Sequence, residues 1–220
     1  MKPKPKQTRY CRFYVARHGE TLWNTQKIMQ GHADSPLTEN GINQARETAK
    51  KLEHVQFARV FSSDLLRCVR TAEIISADQD VVIKTSKLLR EYSLGPFEGK
   101  ELSYFLETLK KSISYRESLA DELRLSHQLH PEIETEENSA MRMITFLRET
   151  AFAYPEKNVL VVSHAVIIRA LLIKLGYATN DELPHGSIKN TSYVVLDSDG
   201  VDFFVRETVG IEKQKKNNSR

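Results

Sequence analysis

Two apolar segments of the sequence each end on side chains that are costly to bury. The segment "RFYVARHGETLWN", residues 12–24, runs into Arg17 and His18, and "VLVVSHAVIIRALL", residues 159–172, runs into His164. In an α/β sheet of parallel strands, ligands bind beyond the carboxyl ends of the strands, where loops and helix amino termini converge. The sequence therefore predicts that these three side chains belong to one site.

The residue types at these positions suit the binding of a small anion and nucleophilic attack on it. An imidazole with its ordinary pKa of about 6.5 is mostly neutral at cytosolic pH, and neighbouring cations favour that nucleophilic form. A guanidinium is always charged, and its planar fork binds two oxygens of one anion. Metal ligation needs three or four ligands, and no third candidate is predicted at a strand end, so we predict no metal and no cofactor. The other histidines are predicted in loops or on the surface: His32, His54, His127, His130 and His185.

The pattern of apolar residues predicts the elements that position this site. Apolar, β-branched runs recur at residues 12–16, 58–62, 80–84 and 158–163, separated by stretches of helical periodicity. This alternation predicts a three-layer α/β/α fold with a mostly parallel central sheet and helices on both faces. The segments "SYVVLD" and "VDFFVRE" around "SDG" predict a hairpin that adds two strands at one edge of the sheet.

Three helices are predicted from their caps and apolar faces. Thr38 caps the first helix, and Ser63 is predicted to cap the second. The third follows His164 and ends at Gly176, because glycine is typical of the position just past a helix. The polar segment 100–138 lacks strand signals, so we predict a helical cap insertion that lies over the active site rather than inside the sheet.

Length and composition indicate one domain of ordinary size. The 220 residues, 40% of them hydrophobic, predict a single domain at residues 10–210, flanked by disordered basic tails at 1–9 and 211–220. A net charge of +3 is too small to indicate a nucleic-acid partner. No apolar run reaches the roughly 18 residues of a membrane span, and the amino terminus lacks the apolar core of a secretion signal. We therefore expect a cytoplasmic protein without a membrane partner, and the oligomeric state stays open.

Five segments together resemble the phosphatase branch of the histidine phosphatase superfamily, which has the phosphoglycerate mutase-like fold. They are "RHGETLWN" at 17–24, "GHADSPLTENGINQA" at 31–45, "SSDLLRCVRTA" at 62–72, "LREYSLGPFEG" at 89–99 and "VVSHAVIIRALL" at 161–172. They follow one another in the family's order. The sequence departs from the family pattern at Ala165, where many relatives have glycine, and at "HAD", residues 32–34, where an aromatic-containing triplet is more usual.

The resemblance implies an enzyme that hydrolyses phosphomonoesters without a metal, of the histidine acid phosphatase type. In such an enzyme His18 is the nucleophile that accepts the phosphoryl group, and Glu91 donates a proton to the leaving oxygen. Water then releases the phosphate from the phosphohistidine. The implied partner is a small phosphorylated metabolite whose identity the sequence does not specify.

The resemblance also implies ligands for the phosphate itself. They are Arg17, Asn24, Arg67 and His164. Taken alone, Arg67 would be interpreted as a surface residue paired with Asp64, three positions before it. Its place one turn into a helix that begins at a strand end favours a role in the site instead.

Two alternatives stay open beside the hydrolase. A phosphoglycerate mutase would keep the phosphohistidine and return it to substrate, which needs a basic, water-excluding cover. The segment 100–138 instead holds five lysines and arginines against nine acidic residues, a net charge of −4. A non-catalytic phospho-ligand binding module would need only the arginines and Asn24, yet the candidate nucleophile and acid, His18 and Glu91, are both present.

Overall fold

A computed structural model of the protein describes residues 9–214, in which a six-stranded sheet lies between two layers of helices. The strands are β1 (Cys11–Arg17), β2 (Arg59–Ser62), β3 (Ile83–Thr85), β4 (Asn158–Ser163), β5 (Ile188–Ser198) and β6 (Phe203–Ile211). The helices are α1 (Leu22–Thr25), α2 (Glu39–Lys51), α3 (Leu66–Ile75), α4 (Leu102–Thr108), α5 (Lys110–Ser118), α6 (Asp121–Arg124), α7 (Glu136–Ala153) and α8 (Ala165–Lys174).

The predicted basic tails fall mostly outside the described residues. Because β6 continues through Ile211, the folded part extends one residue beyond the predicted boundary at residue 210.

The order of strands across the sheet is β3-β2-β4-β1-β5-β6. The first four are parallel, whereas β5 runs antiparallel to β1 and β6 antiparallel to β5. The predicted mostly parallel sheet and the hairpin at its edge are thus confirmed. The strand predicted at residues 80–84 is instead the short β3, which starts at Ile83 and is displaced toward the carboxyl side of the prediction.

Alternation along the central strands builds a separate apolar core on each face of the sheet. Val159 and Val161 of β4 pack into one core with side chains of α7 and α8. Leu160 and Val162, which point the other way, pack into a second core with side chains of α2 and α3. All four are fully buried, as expected for a parallel strand covered by helices on both faces. The three-layer architecture follows from this two-sided burial.

The ends of two helices agree with the prediction. Thr38 precedes α2, and its hydroxyl accepts the N–H of Gly41 at 2.9 Å. The helix that follows His164 is α8, which ends just before Gly176, a residue with a φ of +72°. Such a positive φ explains why glycine stands there.

The predicted cap of α3 is wrong. Ser63 lies three residues before the helix, Leu65 occupies the N-cap position without a side-chain cap, and α3 begins at Leu66. The N–H of Leu66 is bound instead by the carboxylate of Asp34, which comes from a loop more than thirty residues earlier. A cap supplied from such a distance leaves no local pattern in the sequence.

The segment predicted as a cap insertion contains α4, α5 and α6. It is held to the body by a third apolar cluster, in which Phe105 and Leu109 of the insertion pack with Tyr92, Leu94 and Phe97. The insertion therefore covers the loops that follow the strands, and it forms one wall of the cavity described next.

Candidate active site

His18 is the first residue after β1, and its ring is buried. Its Nδ1 lies 2.7 Å from the carbonyl oxygen of Gly19. A carbonyl only accepts hydrogen bonds, so Nδ1 carries the proton and Nε2 keeps its lone pair. Burial, followed by the charges of Arg67 and Arg17, lowers the pKa of His18 well below its ordinary 6.5. The ring is therefore a neutral imidazole with Nε2 available as a nucleophile.

The backbone around His18 is held by close packing against α2 and α3. A Cβ atom on Gly19 would lie 2.5 Å from the carbonyl oxygen of Gly41, so only glycine fits. The N–H of Gly19 donates to the hydroxyl of Thr71 on α3 at 3.0 Å, and the N–H of His18 donates to the carbonyl of Ser163 at 3.0 Å. These contacts fix the turn that presents the imidazole.

His164 lies beside His18, at the end of β4. The two ring centroids are 5.2 Å apart with an interplanar angle of 66°. Burial, and then Arg67 and His18, lower the pKa of His164 well below 6.5, so this ring is also neutral. The thiol of Cys68 lies 3.3 Å from Nε2 of His164. No role was predicted for Cys68, although it directly follows Arg67.

Arg67 enters the site from the first turn of α3, with 1% of its surface exposed. Its Nη2 donates to the carbonyl of Gly31 at 2.8 Å, and its Nη1 donates to the carbonyl of Ala33 at 2.7 Å and to Asp34 Oδ1 at 2.9 Å. The surface pair with Asp64 is not formed. A buried cation with these fixed partners is rigidly placed at the cavity wall.

Asp64 pairs with another arginine. Arg90 donates to its two carboxylate oxygens at 2.7 and 2.6 Å. Since this bidentate pair occupies the carboxylate, Asp64 does not compete for the cation of α3.

Two buried guanidinium N–H groups lack a partner within residues 9–214: the Nε atoms of Arg17 and Arg67. Arg17 uses Nη1 to donate to the carbonyl of Ile188 at 2.7 Å. Burial lowers the pKa of Arg17 to about 10, which still leaves it charged at neutral pH. Buried donors without acceptors are costly, and an anion bound by both arginines would satisfy them.

Asn24 lines the cavity from α1. Its Oδ1 accepts the N–H of Thr21 at 3.2 Å and the amide N–H of Asn190 at 3.3 Å, which leaves its own NH₂ group to donate. Asn190 also donates to the carbonyl of His18 at 3.2 Å. Asn190 was not predicted, because it lies on the antiparallel β5 and not at the carboxyl end of a parallel strand.

The carboxylate of Glu91 lies at the amino end of α8. Its Oε1 accepts the N–H groups of Tyr92 and Ile167 at 3.1 and 3.0 Å, and its Oε2 accepts the N–H of Val166 at 3.0 Å. Helix amino termini attract negative groups in this way. These bonds fix the orientation of Glu91 in the cavity that it shares with His18.

The cavity has a volume of about 430 Å³, within the range of small-molecule sites. His18, Asn24, Arg67 and Glu91 line it together, so the structure brings four of the six predicted site residues to one surface. The ring of His164 packs against the ring of His18. Arg17 lies close enough to His18 and Glu91 to interact with both electrostatically.

Two histidines predicted in loops or on the surface belong to this site. His32 is a loop residue, but its Nε2 lies 2.8 Å from the carbonyl oxygen of Glu91. His185 lines the cavity, and its Nε2 lies 3.1 Å from Glu136 Oε1. Both residues lie in loops, as predicted, but the course of these loops depends on the whole fold, so the sequence did not show that His185 lines the cavity.

Within residues 9–214, no group of three or more His, Cys, Asp and Glu side chains is arranged to hold a metal ion. None of the helices described there is long and apolar enough to cross a membrane.

Residues 13–209 match the family model of the histidine phosphatase superfamily (branch 1). The chain therefore belongs to the histidine phosphatase superfamily, and the resemblance seen in its motifs is confirmed.

The similar proteins include one named as a phosphatase and one named as a phosphoglycerate mutase. The chain is 34% identical over 161 residues to uncharacterized phosphatase PhoE of Bacillus subtilis (strain 168), covering 73% of this chain and 75% of that protein. It is 36% identical over 160 residues to probable phosphoglycerate mutase GpmB of Proteus mirabilis (strain HI4320), covering 72% of each. The solved structure named Bacillus stearothermophilus YhfR aligns with a TM-score of 0.79 and 28% identity, over 92% of this chain and 100% of that one. The predicted phosphoglycerate mutase-like fold is confirmed.

Proposed function

We propose that the protein is a metal-independent phosphomonoester hydrolase that works through a phosphohistidine on His18. The observation that carries this proposal is the pairing of a neutral, buried nucleophile with two unsatisfied guanidinium donors. Nε2 of His18 has its lone pair free because Nδ1 is bound to the carbonyl of Gly19, and the Nε–H groups of Arg17 and Arg67 are buried without acceptors within residues 9–214. A phosphoryl group would provide both the electrophile for Nε2 of His18 and the oxygen acceptors for the two N–H groups.

The first step transfers the phosphoryl group to the enzyme. Nε2 of His18 attacks the phosphorus, the bond from phosphorus to the ester oxygen breaks, and Glu91 gives its proton to that oxygen. The alcohol leaves, and Nδ1 keeps its proton and its bond to Gly19. Glu91 is thereby left as a carboxylate.

The second step returns the enzyme to its starting state. Water attacks the phosphorus of the phosphohistidine while Glu91 takes up a proton of that water. The bond from nitrogen to phosphorus breaks, and inorganic phosphate leaves. Nε2 regains its lone pair and Glu91 its proton, so the cycle balances without a further reactant.

The charge of the phosphoryl oxygens is met by groups that are already in place. Arg17 and Arg67 are fixed through backbone carbonyls and Asp34, and the amide of Asn24 is oriented by Asn190. Donors held ready in a buried site need little reorganisation when the transferring group passes between nucleophile and leaving oxygen. We assign the second imidazole, buried against His18, to the same charge-stabilising set.

Hydrolysis is favoured over the mutase alternative by the chemistry of the cover. The segment 100–138 carries a net charge of −4, and the cavity wall that it supplies is largely apolar. A bisphosphorylated intermediate would need additional cations at that wall. A purely binding role is disfavoured because the candidate nucleophile and acid line one cavity.

The proposal is tested by stopped-flow hydrolysis of 4-nitrophenyl phosphate combined with acid and base quenching. We expect turnover and, where dephosphorylation is slower, a burst of nitrophenolate matching the enzyme concentration. The quenched protein should carry an acid-labile, base-stable phosphate, which marks a phosphohistidine. His18→Asn should abolish both, whereas His54→Asn, at an exposed position away from the cavity, should not.

Two results would overturn the proposal. One is full turnover by His18→Asn, and the other is a phosphoenzyme of unchanged amount in that variant. Incubation with 3-phosphoglycerate separates the mutase: release of inorganic phosphate supports hydrolysis, and formation of 2-phosphoglycerate without phosphate release supports the alternative.

A further inference from the structure

The cavity beyond the phosphate ligands has an apolar wall. Side chains from the loop after α1 and from the insertion form it: Ile28, Met29, Leu102, Phe105, Ile113 and Leu129. Most of them belong to the apolar cluster that attaches the insertion to the body. Phe105 is buried, whereas the other two aromatic residues of the insertion, Tyr104 and Tyr115, are more than half exposed and lie outside the cavity lining.

Two basic side chains of the cavity lining are already engaged by one carboxylate. Arg116 donates through Nη1 to Glu136 Oε1 at 2.9 Å, and His185 lies 3.1 Å from the same oxygen. Glu117 adds a negative charge to the cavity lining. A second phosphate or carboxylate on the substrate would therefore have to compete with Glu136 and would meet the charge of Glu117.

On this basis we propose that the substrates are monoesters of apolar alcohols or phenols, in which the ester carries one phosphate and an alkyl or aryl group. This inference rests on the proposed hydrolase function. The phosphate binds between Arg17 and Arg67, and the organic group lies against the wall of Ile113 and Phe105. Transfer of each methylene group from water to such a wall is worth up to about fourfold in affinity.

A sugar phosphate or a phosphoglycerate fits this wall less well. Each hydroxyl or carboxylate would lose water on entering the cavity, and a polar group that is buried without a hydrogen bond weakens binding. Four polar side chains of the lining are the proposed phosphate-binding and proton-transfer groups, His18, Asn24, Arg67 and Glu91, and the NH₂ group of Gln30 donates to the hydroxyl of Thr21. The cavity therefore favours substrates whose leaving alcohol is apolar.

The test is a series of ethyl, butyl and hexyl phosphates, whose leaving groups differ almost only in apolar surface. We expect kcat/KM to rise about two- to fourfold per methylene group, which amounts to between about 16-fold and about 250-fold over the four methylene groups from ethyl to hexyl phosphate. Glucose 6-phosphate and 3-phosphoglycerate should fall below butyl phosphate. A flat or falling series overturns the inference.

A pair of variants locates the preference in the cavity. Ile113→Ser on α5 should lower the hexyl-to-ethyl ratio of kcat/KM at least threefold, because it removes apolar surface from the wall. Leu123→Ser is the matched control, since Leu123 is 54% exposed and lies outside the cavity lining, and its ratio should equal that of the parent protein. Equal ratios in all three proteins contradict the placement of the organic group.

The two proposals fail in distinguishable ways. Hydrolysis of every ester with a flat chain-length series removes only the inference about substrates and leaves the hydrolase intact. Absence of turnover with all esters and with 4-nitrophenyl phosphate removes the proposed function, and the substrate class with it.

Discussion

The carboxylate of Asp34 both neutralises Arg67 and caps the helix that carries it. Oδ1 lies 2.9 Å from Nη1 of the arginine, and Oδ2 accepts the N–H of Leu66 at the start of α3. The guanidinium is 1% exposed, so without Asp34 its charge would have only backbone carbonyls as partners. A loop carboxylate thus determines where the proposed phosphate ligand Arg67 lies.

Replacement of Asp34 should therefore weaken both the fold and the binding of phosphate. We expect Asp34→Ala to lower the free energy of unfolding by about 3 kcal/mol, because it leaves a buried cation without its counterion. Asp34→Asn should cost less, since its amide oxygen can still accept one N–H. Urea unfolding measures the loss, and KM for 4-nitrophenyl phosphate reports the displaced arginine. Asp78→Ala, on an exposed loop, should stay within about 0.5 kcal/mol of the parent protein.

Glu91→Gln should separate substrates by their leaving groups. An alkoxide needs a proton as it departs, so kcat/KM for butyl phosphate should fall by roughly 10²- to 10⁴-fold. Nitrophenolate leaves without a proton, and hydrolysis of 4-nitrophenyl phosphate should fall much less. Glutamine can still accept the N–H groups of Tyr92 and Ile167, although its NH₂ would face the N–H of Val166.

Glu98→Gln is a matched control for that change. Glu98 also accepts backbone N–H groups, from His32 at 2.9 Å and Leu94 at 3.1 Å, but it lies outside the cavity lining. It should therefore show no dependence on the leaving group. Equal losses for both esters in Glu91→Gln would remove this residue from the role of proton donor.

The two site histidines should stay neutral through the range in which ordinary histidines titrate. Burial and neighbouring arginines lower the pKa values of His18 and His164 well below 6.5. Imidazole NMR signals that disappear in His18→Asn and His164→Asn should show no titration between pH 8 and 6. Because the folded pKa is depressed, these groups stabilise the fold above pH 6.5 and lose that contribution as the pH falls. A midpoint near 6.5 for either ring contradicts the burial argument.

The sequence could predict the positions of site residues that follow parallel strands. His18 and His164 directly follow apolar runs. The rule that ligands bind at the carboxyl ends of parallel strands identifies such residues without knowledge of the loops. The central strands were predictable for the same reason, since burial on both faces produces continuous apolar runs. The short β3 was placed less well, because only its first residue is partly buried and its polar residues carry little pattern.

The parts that could not be predicted depend on contacts between segments distant in sequence. Asp34 reaches α3 from another loop, so Ser63 was the only local candidate for a cap. Asn190 reaches the carbonyl of His18 from an antiparallel strand. Neither contact produces a periodicity or a residue spacing that could be recognised in the sequence. The role proposed for Glu91 came from the motif resemblance, because the residue taken alone would be predicted as a solvated loop carboxylate.

The buried Glu136 should make the fold sensitive to acid in a defined range. Burial alone would raise its pKa, but His185, Arg169 and Arg116 together lower it to about 2. The folded pKa thus lies below the ordinary 4.5, so the stabilisation is present above pH 4.5 and is lost as the pH falls toward 2. A shift of this size corresponds to a contribution of about 3 kcal/mol at neutral pH.

Urea unfolding at pH 7, 5, 4 and 3 tests this contribution. Glu136→Gln should be less stable than the parent protein at pH 7, because the buried Arg169 and the partly buried Arg116 lose their carboxylate partner. Its stability should then decline less between pH 5 and 3, since no carboxylate at this position remains to be protonated. Glu137→Gln is the matched control: Glu137 pairs with Lys174 at the surface, where an ion pair is worth at most about 1 kcal/mol. Parallel pH profiles for the parent protein and Glu136→Gln would show that the acid sensitivity arises elsewhere in the fold.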